Sequence, residues 1–406
     1  MRGAVAPMQY GVLRCLAMSE AARTMLQAKE DAAQEPAREA DAGFLWDFWY
    51  PAIQSNEIVG RRLATTMLLE VPLVLGRTAG GKAFAMRDSC PHRGIPLSYG
   101  RFDGQILECC YHGWRFEACT GQCVEIPSLT SQDKLKVDRV FAGHYPCAER
   151  DGYVWVYMTS HGRIAATGSG DREAVDNAPG SRRPEMTAPA PALSVFSKKY
   201  TIMHLACELP SHVDHGIIGL MDPAHGPFVH QSWYWRSRHS IHEKEKKFEP
   251  IPNGFRMSPH TPSSNSAPYR MLQKYTGEPV TTTIDFVLPN IRTEEIRSGR
   301  LWFSSRATVT PVRRDLCRID FVAAWNLFLP KAIFRIFAKK FLRQDQETMI
   351  QQAEGLKHDP RLMLIDDADR PAKWYFGLKA NLLESRRTGA PMVHPMSGPV
   401  TLRWRS

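Results

Sequence analysis

The sequence lacks the features that would place the protein in a membrane or outside the cell. No stretch approaches the ~18 uncharged apolar residues that a transmembrane helix needs. The first residues contain Arg2 and Arg14 but no continuous apolar core of a signal peptide. Nine cysteines, an odd number, do not suit a disulfide framework. We therefore expect a cytoplasmic protein whose cysteines are free thiols or metal ligands.

Two fingerprints of electron carriers are also missing. The chain has no Gly-rich dinucleotide-binding motif and no Cys-x4-Cys-x2-Cys run of a plant-type ferredoxin. Its basic surplus is spread along the chain, with a net charge of +10, and no zinc-finger or helix-turn-helix pattern surrounds it. This distribution disfavours nucleic acid and favours an acidic protein partner.

The texture of the sequence divides its 406 residues into four parts. Residues 1–40 are predicted to be a weakly ordered N-terminal extension. Residues 41–160 contain short apolar runs between Gly and Pro, which is typical of a small antiparallel β domain. Residues 161–193 are rich in Gly, Ala and Pro and predict a linker. Residues 194–406 combine strand-like runs with a helical stretch from about 331 to 355, so we expect an α+β domain.

A first group of metal-binding residue types lies in CPHRGIPLSYGRFDGQILECCYHGW, residues 90–114. Cys90 and His92 form one pair, and Cys109 and His112 form a second pair after sixteen intervening residues. Two thiolates with two imidazoles fit either tetrahedral zinc or a Rieske [2Fe–2S] cluster. A classical zinc finger keeps Cys with Cys and His with His, whereas each pair here mixes the two, with a glycine following. The pattern favours the cluster.

This stretch resembles the cluster signature of Rieske non-haem iron oxygenases, the oxygenase (alpha) components of aromatic ring-hydroxylating systems. The resemblance implies an α+β protein: an N-terminal all-β Rieske [2Fe–2S] domain followed by a helix-grip α+β catalytic domain. Cys110 stands where the family usually has Pro, and a register with Cys110 as ligand is the alternative to Cys109. Ile95 and Tyr111 occupy the positions of the respiratory Rieske disulfide and cannot form it, which favours the oxygenase class.

A second group lies in MDPAHGPFVH, residues 221–230. His225 and His230 are five positions apart, a spacing that rotates by about 140° on a regular helix and cannot share one face. We therefore predict that Gly226 and Pro227 break the helix between the two histidines. Two His with one carboxylate form the facial triad of non-haem Fe(II). His212 and His215 make a competing pair.

The resemblance assigns roles around this segment. It implies that His225 and His230 bind a mononuclear Fe(II) and that Asp222 bridges toward the Rieske histidine of a neighbouring subunit. It also implies a third ligand on a long C-terminal helix, for which Asp345 in RQDQETMIQQ is the candidate. Glu347 and Asp366 are the alternatives to Asp345. Two further sets are expected to have no metal role: His204 as a core or pocket residue, and Cys119 and Cys123 as packed or free thiols.

The resemblance further implies the terminal component of a multicomponent oxygenase. Such a protein uses O2 and electrons from NAD(P)H, delivered by a separate reductase and often an acidic ferredoxin, and we expect a homotrimer. The expected reaction is hydroxylation or oxidative demethylation of an apolar ring compound. The alternatives are a cis-dihydroxylating dioxygenase and a Rieske electron-transfer protein without oxygenase activity.

The stretch LPKAIFRIFAKKFLRQD mixes apolar and basic residues. Core packing with a basic outer face is the commoner explanation of such a pattern. A role at a membrane surface is the alternative, and it would suit a lipid-like or sterol-like substrate.

Overall fold

The computed structural model describes residues 43–160, 188–231, 238–261 and 267–406. The predicted extension 1–40 and most of the predicted linker lie outside these residues. Leu45–Ser406 form one compact unit.

Three small antiparallel sheets make up the first half of this unit. Their strands are β1 (Phe48–Gln54), β2 (Ala64–Leu68), β3 (Val71–Arg77), β4 (Ala83–Arg87), β5 (Arg101–Phe102), β6 (Ile106–Glu108), β7 (Arg115–Glu117), β8 (Cys123–Glu125), β9 (His144–Tyr145), β10 (Cys147–Arg150) and β11 (Tyr153–Met158). The strand orders are β1-β11-β10, β2-β3-β4-β9 and β5-β6-β7-β8. The last sheet and its loops carry the first group of metal-binding residue types.

Strand β11 joins the two halves of the unit, and all six of its residues are buried. Successive side chains of a strand point to opposite faces, so both faces must be covered. Tyr153, Trp155 and Tyr157 share one face and pack in a cluster with Trp302 and Val322 of the second half. The apolar sequence YVWVYM is therefore explained by burial on two sides.

One large antiparallel sheet dominates the second half. Its strands are β12 (Thr201–Leu209), β13 (Glu243–Ile251), β14 (Gly254–His260), β15 (Thr281–Val287), β16 (Ile291–Ser298), β17 (Leu301–Arg313), β18 (Leu316–Trp325) and β19 (Val400–Arg405). They lie in the order β12-β18-β17-β16-β15-β14-β13-β19. The helices are α1 (Val213–Met221), α2 (Gly226–Val229), α3 (Ala267–Thr276), α4 (Lys331–Leu356) and α5 (Arg370–Thr388).

Helix α4 packs along β12 and coincides closely with the predicted helical stretch. Its inward residues recur at the helical spacing: Phe334, Ala338 and Leu342 contact a buried cluster that contains Trp325 and Leu205. This contact holds the helix against the sheet. It thereby positions the side chains in the later turns of the helix.

Polar contacts of a buried arginine and a partly buried aspartate join the first half of the unit to the second. Asp151, in the turn between β10 and β11, accepts hydrogen bonds from the guanidinium of Arg306 at 2.7 Å and from the backbone N–H of Leu193 at 2.7 Å. The ring Nε2 of His204 donates to the carbonyl oxygen of Asp151 at 2.6 Å. His204 therefore lies at this junction.

A second buried pair anchors strand β1. Arg318 of β18 donates to the carbonyl oxygens of Pro51 and Ala52, both at 2.9 Å. Asp320 accepts from the same guanidinium at 2.9 Å and is only 3% exposed. Because breaking a buried ion pair leaves an uncompensated charge, these contacts favour one orientation of the two halves.

Candidate metal centres

The loop between β4 and β5 holds the first Cys–His pair in a tight backbone frame. The N–H of Cys90 donates to the carbonyl of Ile95, and the N–H of Gly94 donates back to the carbonyl of Cys90, both at 2.8 Å. Gly94 has φ +73°, a conformation that a side chain disfavours. The loop thus folds back on its own cysteine.

The loop between β6 and β7 repeats this frame. The N–H of Cys109 donates to the carbonyl of Trp114 at 2.8 Å, and the N–H of Gly113 donates to the carbonyl of Cys109 at 3.0 Å. Gly113 has φ +67°. Two loops with the same hydrogen bonds therefore present one cysteine and one histidine each.

Thiols and imidazoles lie on opposite sides of this pair of loops. Cys90 and Cys109 are each 2% exposed. The rings of His92 and His112 lie toward the surface, with their centroids 4.5 Å apart, and His92 stacks on Trp114 at 4.7 Å. Sulfur ligands inside and nitrogen ligands outside are the donor set that a Rieske cluster requires.

The raised pKa of the Cys90 thiol is consistent with a positively charged metal cluster at this place. Burial, together with the neighbouring Cys109 thiol, raises the pKa of Cys90 to about 12. Two adjacent thiolates in this buried place would need positive charge beside them, and iron supplies it. The residues present therefore fit a [2Fe–2S] cluster.

The remaining cysteines of this region lie differently. Cys110, the alternative ligand, is exposed, whereas Cys109 is buried. Cys123 is buried in the apolar cluster beneath the loops, and Cys119 is half-buried.

The second group of residues is placed by two short helices that meet at a corner. Helix α1 ends at Met221, Asp222 caps it, and α2 begins at Gly226. The predicted helix break exists but lies at Asp222–His225, and the prediction that Gly226 and Pro227 interrupt a helix is wrong. Proline is well tolerated in the first turn because the N–H it lacks has no partner there, so Gly226-Pro227 starts a helix instead.

This corner brings the two histidines together despite their spacing. Nε2 of His225 lies 3.1 Å from Nε2 of His230. Nε2 of His230 is 3.1 Å from a carboxylate oxygen of Asp345, and Nε2 of His225 is 3.9 Å from the same oxygen. The three ligand atoms lie within 4.8 Å of one another, a grouping that could hold a metal ion. Two imidazoles and one carboxylate are the donors that non-haem Fe(II) accepts.

The competing candidates have other partners. Glu347 is exposed and pairs with Arg343 at 2.9 Å, and Asp366 accepts from Lys373 at 3.1 Å. His212 caps the start of α1, where its Nδ1 accepts from the N–H of Asp214 at 3.2 Å. His215 sits half-buried in the first turn of the same helix, and its burial lowers its pKa.

Two residues that the sequence analysis did not single out support His230. The carboxamide oxygen of Gln344 lies 3.3 Å from Nδ1 of His230, and the ring of Phe341 stacks on the imidazole at 4.3 Å. Both belong to α4: Gln344 directly precedes Asp345, and Phe341 lies four residues before it. Helical spacing could have identified Phe341, since residues four apart share a face, whereas Gln344 carried no such signal.

Asp222 and His225 contact each other through backbone and side chain. Nδ1 of His225 donates to the carbonyl oxygen of Asp222 at 2.8 Å, and the Asp222 carboxylate lies 3.7 Å from the same nitrogen. The N–H of Ala224 donates to that carboxylate at 2.7 Å. Burial raises the pKa of Asp222, which means that the site disfavours an isolated carboxylate charge here.

Sequence comparisons agree with the first centre. Residues 48–139 match the family model of the Rieske [2Fe-2S] domain. The chain is 40% identical over 117 residues to the 3-chlorobenzoate-3,4-dioxygenase oxygenase subunit of Comamonas testosteroni, and 31% identical over 205 residues to chlorophyllide a oxygenase of Chlamydomonas reinhardtii. These matches cover 29% and 50% of this chain, and each spans 27% of the relative's length. Residues 48–139 of the chain therefore form a Rieske [2Fe–2S] domain.

A structural comparison extends the likeness to both halves. NdmA of Pseudomonas putida CBB5, solved as a mutant with theobromine, is superposed with a TM-score of 0.64 at 17% identity. The match covers 89% of this chain and 97% of NdmA. The predicted fold class is confirmed: a β domain that contains the Rieske match is followed by an α+β domain with a large antiparallel sheet, and the two together have the fold of NdmA.

Proposed function

We propose that this chain is the terminal component of a multicomponent Rieske oxygenase. In this proposal it uses O2 and externally supplied electrons to hydroxylate or oxidatively demethylate an apolar ring compound. The observation that supports it most directly is the convergence of His225, His230 and Asp345 in a chain that also has a Rieske domain.

The second centre would hold a mononuclear Fe(II) through these three residues. Such an ion would supply open coordination positions for O2 beside the substrate. The protein's part is to orient the ligands: the Gln344 carboxamide oxygen accepts from Nδ1 of His230, and the Asp222 carbonyl oxygen accepts from Nδ1 of His225. Both contacts leave Nε2 as the metal-binding nitrogen.

Electrons would enter at the first centre, held by Cys90, His92, Cys109 and His112. We propose that they come from NAD(P)H through a separate reductase, with or without an acidic ferredoxin that the net charge of +10 would attract. Asp222 would align the transfer to the second centre across a subunit boundary, in a homotrimer, by analogy with the family.

The substrate class rests on the relatives. Their names refer to 3-chlorobenzoate and chlorophyllide a, and the NdmA structure contains theobromine. All three are ring compounds, so we propose a ring substrate for this chain as well.

The decisive experiment combines iron analysis with turnover. The purified chain should bind about three iron atoms, two in a visibly coloured cluster and one outside it. With a surrogate reductase and a panel of aromatic acids, methyl ethers and sterol-like rings, oxygen uptake should be coupled to product. A chain that retains only two iron atoms after anaerobic reconstitution would instead be a Rieske electron carrier. A cis-diol product would identify the dioxygenase alternative.

A further inference from the structure

An exposed apolar surface surrounds the beginning of helix α4. Phe328, three residues before the helix, is 80% exposed, and Ile336 in its second turn is 69% exposed. Met271 and Tyr275 of α3 are 72% and 63% exposed, and the Tyr275 ring lies 5.8 Å from that of Phe328. We call these four residues, with the 45% exposed Ile333, the α4 patch.

Within the patch, Ile333 and Ile336 form a second apolar face of α4, distinct from the face that packs on the sheet. Phe334, Ala338 and Leu342 point toward the core cluster. Ile333 and Ile336 lie at angles that turn away from those residues on a helix of 100° per residue. Core packing therefore does not explain the apolar residues of this outer face, and several large apolar side chains exposed near one another are typical of an interaction site.

Basic side chains flank the patch. Residues 331–343 contain Lys331, Arg335, Lys339, Lys340 and Arg343 and no acidic residue. Arg343 pairs with Glu347. The other four are exposed, and no ion pair joins them to a carboxylate within the described ranges. Helix α3 adds Arg270 and Lys274, again without an acidic residue.

A basic aromatic cleft lies beside Asn326, two residues before Phe328. The cleft encloses about 370 Å³ and is lined by residues that include Asn326, Phe196 and Arg300. Arg297 also lines it and stacks over the Phe196 ring at 4.6 Å. The region thus combines exposed apolar side chains with basic residues of α3, α4 and the cleft.

We propose that the α4 patch and its basic flank form a docking surface for an anionic phospholipid bilayer. Apolar side chains would enter the boundary between headgroups and acyl chains, while Lys and Arg side chains would reach the phosphates. Charge complementarity selects an anionic surface. Lysine is depleted in protein–protein interfaces, so the three lysines within the first ten residues of α4 favour lipid over an acidic protein.

Docking through the patch would bring the second centre close to the bilayer. This part of the inference rests on the proposed function. Ile336 and Asp345 lie on the same helix, and nine residues of helix span about 14 Å. A ring compound dissolved in the bilayer would therefore be held within a short distance of the second centre.

The test is flotation of the full chain with vesicles of phosphatidylcholine, with and without phosphatidylglycerol. We expect the chain to float only with phosphatidylglycerol. The variant K339E/K340E should bind at least tenfold more weakly, since each basic residue near an anionic surface contributes substantially. The variant F328S/I336S, whose charge is unchanged, should also bind at least tenfold more weakly.

Two matched controls distinguish docking through the patch from a general effect of net charge or of exposed apolar side chains. K134E/K136E changes the net charge by the same amount at another exposed site, and V59S/V393S removes two exposed apolar side chains elsewhere. Both should bind within about twofold of wild type if the patch is specific. Equal losses in the patch and control variants would overturn the proposal, as would absence of flotation together with crosslinking of an acidic redox protein to the patch.

Flotation requires neither iron nor turnover. A chain that floats through the patch but lacks the third iron would retain this inference and refute the proposed function. A chain that turns over but does not float would support the proposed function and refute this inference.

Discussion

The two candidate metal centres are assembled in opposite ways. The first takes its four residues from positions 90–112, in two loops with the same backbone hydrogen bonds. The second takes two histidines from the corner between α1 and α2 and a carboxylate from α4, next to Gln344, which is 114 positions after His230. The first centre is thus encoded locally, whereas the second exists only when α4 packs along β12.

This contrast suggests that each centre can be removed without the other. Asp345→Ala should eliminate the third iron and product formation while the visible absorption of the cluster remains.

Cys109→Ser should eliminate the cluster and its two iron atoms while the fold, measured by circular dichroism, is retained. Iron analysis and the visible spectrum check both variants, with Glu347→Ala as control. A third iron that survives in Asp345→Ala would show that another residue is the ligand.

The link between the centres is the next place to test. Asp222→Ala should keep both metals but lower product formation by about 100-fold or more, the size of loss expected when a group that aligns a reaction is removed. Single turnover with a chemically reduced cluster measures this directly. Asp366→Ala, a change at an exposed carboxylate, should turn over like wild type. Normal turnover in Asp222→Ala would remove its bridging role.

The long-range centre should also depend on residues that do not bind the metal. Gln344→Leu removes the acceptor for Nδ1 of His230 and should weaken mononuclear iron binding roughly 10–100-fold. Gln344→Glu, which keeps an acceptor, should restore part of the affinity. The neighbouring Gln346 donates to the Glu208 carbonyl instead, so Gln346→Leu is the matched control. Equal losses in Gln344→Leu and Gln346→Leu would indicate a general effect on α4.

The smallest expected effect concerns the junction between the halves. Arg306 is 1% exposed, pairs with Asp151 and lies over the Trp155 ring at 4.7 Å. Arg306→Met should lower the free energy of unfolding by about 2 kcal/mol, less than a fully buried pair because Asp151 retains some solvent contact. Arg313→Met, at an exposed pair, should cost less than about 1 kcal/mol. Denaturant midpoints compare the two, and equal shifts would contradict a special role for Arg306.

The strands and helices that could be predicted from the sequence are those whose residue pattern is set within a short segment of the chain. Short apolar runs between turn residues predicted the β domain, and a helix-like stretch from about 331 to 355 predicted the helix that the structure places at Lys331–Leu356. The precise corner between Asp222 and His225 was not predictable, because Gly-Pro serves equally well as a helix breaker and as a helix start.

The outer face of α4 illustrates a different limit. The sequence showed apolar and basic residues mixed along this helix, and packing in the core was the commoner explanation. Periodicity identifies residues that share a face but does not reveal whether another element covers it. The exposure of Ile333 and Ile336 was decided by the tertiary structure alone.

By itself, the sequence determined the chemistry of the first centre, since the two Cys–His pairs lie within a short segment whose glycines set the loop conformation. The family resemblance, rather than the residues alone, named three residues that could bind a second metal. Only the tertiary structure brought those three within 4.8 Å, supplied Gln344 and Phe341 beside His230, and joined the two halves through Asp151 and Arg306. The physical reason is that contacts between distant segments depend on how sheets and helices pack, which no local pattern specifies.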